Sequence, residues 1–409
     1  MGALAFGHLS RCRAKVGAMD VRAILVVGNT APANTKAPRT ESFAGLPLAL
    51  YDVLGKSVLA RTVQRLQHFG ITQFTTVCDE KTGGALDARV KQEWNVVVED
   101  HGLWRSAESV FNDFVQQGAE LVLVLRIGAY AELDYEEFVQ FHLEQHGRAT
   151  VAVDARGYRI GIVALSASRR NDAAYLFRHN MEEFRVPCVQ YQFRGYLNRL
   201  ITPADLRQLS VDALLQNNHI QPIGREIRPG VWAGPRARIH PRARIVAPAY
   251  IGERAKLRAS AVITRFTCIE HHAVVDCGTV LENTSIAPYT YVGAGLDINY
   301  AIVGRNRIAS LRRNVEVEIK DPRLLSTLAT SAPVRALREM GALAAYLPQQ
   351  LFRGMFSRSQ RTMPTDIPAA VNTPSAALKE PALTNPGGSI NSTPEFPSEL
   401  VVVRRYGNE

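Results

Sequence analysis

The stretch that decides half of the fold, residues 237–281, reads ARIHPRARIVAPAYIGERAKLRASAVITRFTCIEHHAVVDCGTVL. An aliphatic residue returns in it at every sixth position, as Ile239, Ile245, Ile251, Leu257, Ile263, Ile269, Val275 and Leu281. A small residue precedes each of these by two positions, as Ala237, Ala243, Ala249, Ala255, Ala261, Thr267, Ala273 and Thr279. A period of six fits neither a helix nor an isolated strand. It predicts a coil of three short strands whose aliphatic residues point inward.

The aliphatic column shifts by one position near Asn283 and resumes as Ile286, Val292 and Ile298. A skipped position of this kind is typical of a loop or bulge between repeats. The repeats therefore predict a parallel β-helix that extends from residue 237 to about residue 302, within a domain assigned to residues 225–320.

Basic side chains concentrate on the first coils of this predicted β-helix. Because three hexapeptides complete one coil, Arg236 should stack on Arg254 and Arg238 on Lys256, at about 4.8 Å. Like charges so placed repel each other, so the cluster favours an anionic ligand, an acidic neighbouring surface or a membrane surface. The alternative is a solvated face that tolerates the repulsion. The predicted anion patch consists of Arg236, Arg238, Arg242, Arg244, Arg254 and Lys256.

Residues 19–216 alternate apolar strand candidates with helical stretches. This alternation predicts an α/β domain with a largely parallel sheet. The strand candidates are residues 23–27, 74–77, 121–125, 148–153 and 161–165, and one helix is predicted over residues 58–68.

Four segments of this domain carry a resemblance to a known family. They are ILVVGNTAP at 24–32, GLPLAL at 45–50 with VLGK at 53–56, LVLRIGAYAELD at 123–134, and GYLNRLITPAD at 195–205. Together they are similar to sugar nucleotidyltransferases over nearly the whole domain, and the hexapeptide repeats resemble the left-handed β-helix that follows the catalytic domain in many members. The resemblance implies an α/β Rossmann-like nucleotidyltransferase domain followed by a left-handed parallel β-helix.

The resemblance places nucleotide binding at Gly28, Asn29 and Thr30, where the family has a Gly-x-Gly-Thr-Arg loop around the phosphates. Only Gly28 matches, because Thr30 replaces the second glycine and Pro32 replaces the arginine. In the second segment a leucine takes the place of the family's lysine. The cation that would neutralise triphosphate charge is therefore missing.

The two metal-binding aspartates of the family are also replaced. One falls on Gly128, with Arg126 two residues before it, and the other falls on Arg199. Thr202 and Asp205 remain and are interpreted as a helix-capping pair. We therefore predict no catalytic residue and no metal ligand at the aligned positions. A further segment, RIGIVALS at 159–166, resembles the strand that lines the sugar pocket and makes Arg159 and Gly161 candidates for that pocket.

Nucleotidyl transfer depends on positioned cations that stabilise charge on the phosphates. The replacements therefore favour a catalytically degenerate protein that acts as a regulatory or scaffold partner in nucleotide-sugar or surface-polysaccharide biosynthesis, without a cofactor. The alternative is an active, diverged sugar-1-phosphate nucleotidyltransferase that makes NDP-sugar and pyrophosphate with Mg²⁺. A third hypothesis is a hexapeptide acyltransferase that uses His240, His271 or His272 as general base. The expected partners are further copies of this chain, joined through the β-helix, and an active paralogue.

The 409 residues, 46% of them hydrophobic, suffice for two cored domains with flanking segments. The five cysteines form no CxxC pair, and no apolar run reaches the ~18 residues of a membrane span. We expect a cytoplasmic protein, with the inner face of the membrane as a peripheral location. The net charge of +10 favours an anionic partner, but we expect no specific binding to nucleic acid.

Three flanking segments are predicted. Residues 1–18 are expected to be a disordered leader, and residues 363–409 a disordered tail. Residues 321–362 are expected to form a helical cap or amphipathic helices, beginning with a helix at 322–332.

Overall fold

The computed structural model describes residues 19–28, 42–86, 88–99, 102–146, 148–181, 186–328 and 400–405. The described residues from 19 to 328, together with 401–405, belong to the first of two units into which the chain divides. The predicted α/β domain and the predicted β-helix both belong to the first unit. Of the described residues, none belongs to a helix that is long and apolar enough to span a membrane.

The N-terminal domain alternates strands and helices, as its sequence pattern predicts. Its strands are β1 (Val21–Val27), β2 (Ser42–Phe43), β3 (Leu46–Pro47), β4 (Asp52–Val53), β5 (Lys56–Ser57), β6 (Phe74–Cys78), β7 (Val96–Val98), β8 (Leu121–Arg126), β9 (Ala129–Ala131), β10 (Ala149–Val153), β11 (Arg159–Ser166), β12 (Cys188–Gln192) and β13 (Leu197–Arg199). Its helices are α1 (Val58–His68), α2 (Glu80–Ala85), α3 (Ala88–Glu93), α4 (Leu103–Gln116), α5 (Tyr135–Glu144), α6 (Arg170–Arg178) and α7 (Pro203–Leu214). The helix predicted at 58–68 is confirmed.

Seven strands form the central sheet in the order β12-β10-β11-β8-β1-β6-β7. Strand β1 runs parallel to β6 and β8, whereas β11 runs antiparallel to β8 and β10. The sheet is therefore mixed, with β11 as the exception to the predicted parallel arrangement. Alternate residues of β1 enter two apolar clusters, Leu25 on one face and Ile24 on the other. Burial on both faces explains why β1 is an uninterrupted apolar run.

The C-terminal half of the first unit consists of short strands. They are β14 (Arg225–Arg228), β15 (Val231–Ala233), β16 (Arg238–Ile239), β17 (Arg244–Ile245), β18 (Ala249–Ile251), β19 (Lys256–Leu257), β20 (Val262–Ile263), β21 (Thr267–Ile269), β22 (Val274–Val275), β23 (Val280–Glu282), β24 (Ser285–Ile286), β25 (Thr290–Val292), β26 (Asp297–Asn299), β27 (Ala301–Gly304), β28 (Arg307–Ser310), β29 (Val315–Ile319) and β30 (Leu325–Thr327). A last strand, β31 (Leu400–Arg405), follows after a long interval.

These strands form three sheets whose successive members come from successive turns of the chain. The sheet orders are β14-β15-β18-β21-β24-β27-β28-β29-β31, β16-β19-β22-β25-β30 and β17-β20-β23-β26. The pairing from β15 to β27, from β16 to β25 and from β17 to β26 is parallel, and Ile251 lies beside Ile269, one coil later. The arrangement is consistent with the predicted parallel β-helix. The predicted aliphatic column forms its apolar core.

The predicted shift in the repeat is confirmed near Asn283. Ile269 pairs with Ile286, one position sooner than the preceding coils require. Asn283 has a φ of 45° at this corner. Phe266, at the equivalent corner one coil earlier, also has a positive φ, of 60°. The corner after Leu281 is one residue shorter, so the inward column is kept while the numbering shifts.

The helix predicted at 322–332 is wrong where the structure describes it. Leu325–Thr327 instead forms β30, which pairs antiparallel with β25, and buried Leu325 joins the apolar core of the β-helix. Burial of the core end thus outweighs local helical preference. The predicted disordered tail is likewise contradicted at Leu400–Arg405, which forms β31 at the edge of the nine-stranded sheet. The helices predicted beyond residue 328 lie outside the described residues.

The outer face of the nine-stranded sheet packs against the N-terminal domain. Tyr250 and Cys268 of this face share an apolar cluster with Leu206 and Leu209 of α7. Arg207, on the same helix, is almost completely buried and donates hydrogen bonds to Asn283 and Ser285. The two halves are therefore joined by a continuous core that also contains hydrogen-bonded polar groups.

Candidate functional site

The first candidate site lies where β1, β6 and β8 end at the same edge of the central sheet. The carboxyl ends of parallel strands are the usual place for ligands in α/β proteins. Gly28 follows β1, and a Cβ atom added to it would lie 2.7 Å from Leu103 Cδ1 and 3.4 Å from Asp79 Oδ2. A side chain at position 28 would therefore require Leu103, the first residue of α4, to move. Asn29 and Thr30, the other predicted nucleotide-binding residues, lie outside the described residues.

Gly161 is explained by close packing between two strands. Its φ is +82°, and an added Cβ would lie 2.8 Å from the backbone oxygen of Arg126 at the end of β8. Both features exclude a side chain there. Arg159, the other candidate for the sugar pocket, is exposed at the start of β11. Gly161 thus brings β11 against β8, and nothing in this packing requires a sugar.

Arg199, which the sequence resemblance aligns with a metal-binding aspartate, forms an ion pair. Its guanidinium lies 2.8 Å from Asp154 Oδ2 and above the ring of Tyr158, 5.6 Å from the centroid. The Asp154 carboxylate also accepts hydrogen bonds from the backbone N–H groups of Arg156 and Tyr158. Partial burial favours the neutral acid, but these hydrogen bonds and Arg199 hold the pKa of Asp154 below its usual value.

The residues of this edge do not fit a magnesium ion. Mg²⁺ requires oxygen ligands, usually carboxylates, whereas the two aligned positions carry Gly128 and Arg199. Asp154, the nearby carboxylate, already binds Arg199, and Asp79 accepts the Thr82 N–H at the start of α2. Over the described ranges, no three His, Cys, Asp or Glu side chains are placed to share an ion. Thr202 and Asp205 form the predicted capping box of α7.

The second candidate site is the anion patch, which the structure places on the first two coils. Arg238 pairs with Lys256 in register, and Arg236 and Arg254 occupy equivalent corners with φ near 58° and 54°. Arg254 lies 3.5 Å from Glu253, in an exposed ion pair worth little. The exposed members of the patch are Arg236, Arg238, Arg242, Arg244 and Arg254. No described contact joins them to the sheet edge.

A polar cluster that sequence analysis did not predict lies between the domain and the β-helix. Glu270 is 2% exposed, and its two carboxylate oxygens accept the N–H groups of Leu54 and Gly55 at 2.9 and 2.8 Å. His271 Nε2 lies 3.1 Å from Asp52 Oδ2. Burial and the neighbouring Asp52 raise the pKa of Glu270. Burial would lower the pKa of His271, but its hydrogen bond to Asp52 and the nearby carboxylates raise it.

Both ring nitrogens of His271 are engaged within the protein, because its Nδ1 lies 3.1 Å from Nδ1 of His272. His272 also stacks on Tyr289, with ring centroids 4.7 Å apart. The two histidines therefore belong to a structural network at the interface. One signal for the network exists in the repeat, since Glu270 occupies a column that is otherwise glycine or alanine. The other members of that column are Gly234, Gly252 and Ala287.

The chain is similar to solved structures but matches no known family. No family model matches the chain, and no curated protein matches it. Among solved structures, the chain is similar to HddC from Yersinia pseudotuberculosis at 16% identity and a TM-score of 0.36, over 46% of this chain and 97% of that one. The same protein complexed with GMP-PN gives 15% identity and a TM-score of 0.35, over the same shares. These values assign the chain to no family.

Proposed function

We propose that this chain is a catalytically degenerate protein similar to sugar nucleotidyltransferases, which acts as a regulatory or scaffold partner in nucleotide-sugar or surface-polysaccharide biosynthesis. The proposal includes a left-handed β-helix that joins copies of the chain, and an active paralogue as partner. The observation that carries it is the ion pair between Arg199 and Asp154 at the aligned metal position. A cation entering there would meet a guanidinium and a carboxylate that is already neutralised.

The other replacements support the same conclusion. Stabilisation of charge on the phosphates is the main task of a nucleotidyltransferase site. Gly128 supplies no ligand, and Gly161 is accounted for by its contact with Arg126. The residues at this edge that still match the family serve other roles. Gly161 allows close packing of two strands, and Thr202 and Asp205 cap a helix. None of these roles requires catalysis.

A pyrophosphate-release assay tests the proposal. The purified chain is incubated with Mg²⁺, each nucleoside triphosphate and a panel of sugar 1-phosphates, beside an active sugar nucleotidyltransferase as positive control. We expect no release above the protein-free background. Clear Mg²⁺-dependent release would refute the proposal and favour the active, diverged enzyme.

Calorimetry with the same nucleotides and sugar phosphates then separates the two proposed roles. Binding without turnover supports a regulatory protein that senses the ligand, and no binding supports a scaffold. The Arg199→Ala variant is the matched comparison, because it removes a cation and frees the Asp154 carboxylate. If an anionic ligand binds at this edge through Arg199, its affinity falls in this variant.

A further inference from the structure

Positive charge is unevenly distributed along the β-helix. Residues 225–258 contain nine Lys and Arg residues and only two acids, Glu226 and Glu253, a net charge of +7. Residues 259–328 contain seven Lys and Arg residues and seven Asp and Glu residues, a net charge of zero. Most of the chain's net charge of +10 therefore lies at one end of the β-helix.

The same end carries open sheet edges. Strands β16 and β17 are the first members of their sheets, whereas β14 covers the nine-stranded sheet. The N–H groups of Arg238 and Arg244 donate to Ala255 and Ala261 on the next coil. Neighbouring residues of a strand direct their backbone groups to opposite sides. Ile239 and Ile245 therefore point their N–H and C=O groups away from the next coil, toward no described strand.

The apolar core is also incomplete at this end. The inward residues of the first coil are half-buried, whereas their equivalents one coil later are at most 3% exposed. The half-buried residues are Ala237, Ile239, Ala243 and Ile245, and the equivalents are Ala255, Leu257, Ala261 and Ile263. At the opposite end, β28, β29 and β30 return antiparallel and close the core. The fold thus closes one end with its own strands, and the described residues leave the other uncovered.

The cations extend beyond what edge protection requires. Charged residues on edge strands prevent unwanted pairing, which would account for Arg238 and Arg244. The second coil is paired on both sides and needs no such protection, yet it carries Arg254, Lys256 and Arg258. Five cations of the two coils form no ion pair with a described residue, namely Arg236, Arg238, Arg242, Arg244 and Lys256.

We propose that the open first coil binds an extended acidic segment of another protein as an added β-strand. Only a polypeptide backbone can pair with the N–H and C=O groups that Ile239 and Ile245 present. Acidic side chains on that segment would neutralise the arginines, and apolar ones would cover the half-buried core. A second copy of this end is excluded as the occupant, because it would bring two basic rims together. A flat membrane could contact only one of the two outer faces that carry Arg238 and Arg244.

The test uses the full chain and a fluorescent peptide of about twelve residues that alternates Glu and Val. Fluorescence anisotropy measures its binding at low and at physiological salt. Two further probes are also anionic: the same peptide with alternate backbone nitrogens methylated, which leaves its net charge unchanged, and vesicles containing anionic phospholipid. We expect the unmodified peptide to bind, and the methylated peptide to bind at least about tenfold more weakly because it cannot donate to the edge.

The variant Arg238→Glu/Arg244→Glu should weaken peptide binding by about tenfold or more. Its matched control, Arg313→Glu/Arg323→Glu, makes the same charge change at exposed positions of the other end and should leave binding unchanged. Circular dichroism verifies that both variants fold. If the Arg238→Glu/Arg244→Glu variant does not fold, Arg238→Gln/Arg244→Gln replaces it.

Three results would overturn the proposal. They are absence of peptide binding, equal weakening by the two charge variants, and equal affinity for the methylated peptide. Vesicles that bind as tightly as the peptide, with the same dependence on Arg238 and Arg244, would show a membrane site instead. None of these outcomes depends on whether the central sheet edge is catalytic, so the proposal is separable from the proposed function.

Discussion

His142 provides the most direct test of the packing between α5 and the central sheet. The side chain is fully buried, with Nδ1 2.8 Å from Thr150 Oγ1 and Nε2 2.8 Å from Ser166 Oγ. A neutral ring donates one of these hydrogen bonds and accepts the other, and the hydroxyl groups rotate to match. Burial lowers the pKa of His142 from 6.5 to about 4. The native state therefore resists the proton that the unfolded chain readily accepts.

The sign of the pH effect follows from this difference. Well above pH 6.5 the residue is neutral in both states and contributes no pH dependence. As the pH falls from 6.5 toward about 4, the unfolded state binds a proton that the native state excludes, so the free energy of unfolding decreases. At ~1.4 kcal/mol per pH unit, the full loss is about 3 kcal/mol.

Equilibrium urea unfolding of the wild type and of His142→Gln, between pH 7.5 and 4.5, measures this loss. The glutamine retains hydrogen-bonding groups but does not titrate, so other acids contribute equally to both proteins. We expect the wild type to lose about 2 to 3 kcal/mol more than the variant over this range. If the two proteins lose stability in parallel, His142 is not buried as a neutral ring and the reasoning fails.

Two further predictions concern single positions. Gly161→Ala should lower the free energy of unfolding, measured with urea, clearly more than Gly157→Ala does. Both glycines have φ near +80°, but only at Gly161 would the new Cβ lie 2.8 Å from the backbone oxygen of Arg126. Equal losses would contradict the packing argument. Glu270→Gln should destabilise the protein by about 1 to 3 kcal/mol, because an amide NH₂ would face a backbone N–H. The matched change Glu282→Gln, at an exposed position two short strands later in the same coil, should leave the melting temperature unchanged. A similar loss in both variants would exclude a specific role for the buried carboxylate.

Features set by local pattern were predictable from the sequence. The inward column of the β-helix follows from a period of six, and the shift at Asn283 was visible as one missing position. The helix Val58–His68 was predicted with its observed ends. Ser57 before it accepts the Ala60 N–H as an N-cap, a preference that belongs to the residue type.

Features that depend on distant partners were not predictable in the same way. Asp154 pairs with Arg199 45 positions away, and Glu270 binds the Leu54 N–H 216 positions away. Their neighbouring residues carry no mark of either partner. The sequence predicts a helix at Leu325–Thr327 because the local pattern does not reveal β25, the strand with which these residues pair.

The shared core between the nine-stranded sheet and α7 has a consequence for how this protein could evolve. Tyr250 and Cys268 are apolar on the outside of a repeat, where a free-standing β-helix would carry solvated residues. If either half were exchanged for that of a distant relative, this apolar surface would lose the surface it packs against. The buried Arg207 would also lose its hydrogen-bond acceptors, Asn283 and Ser285. The halves of this chain must change in concert, so recombination at the linker between them would be selected against.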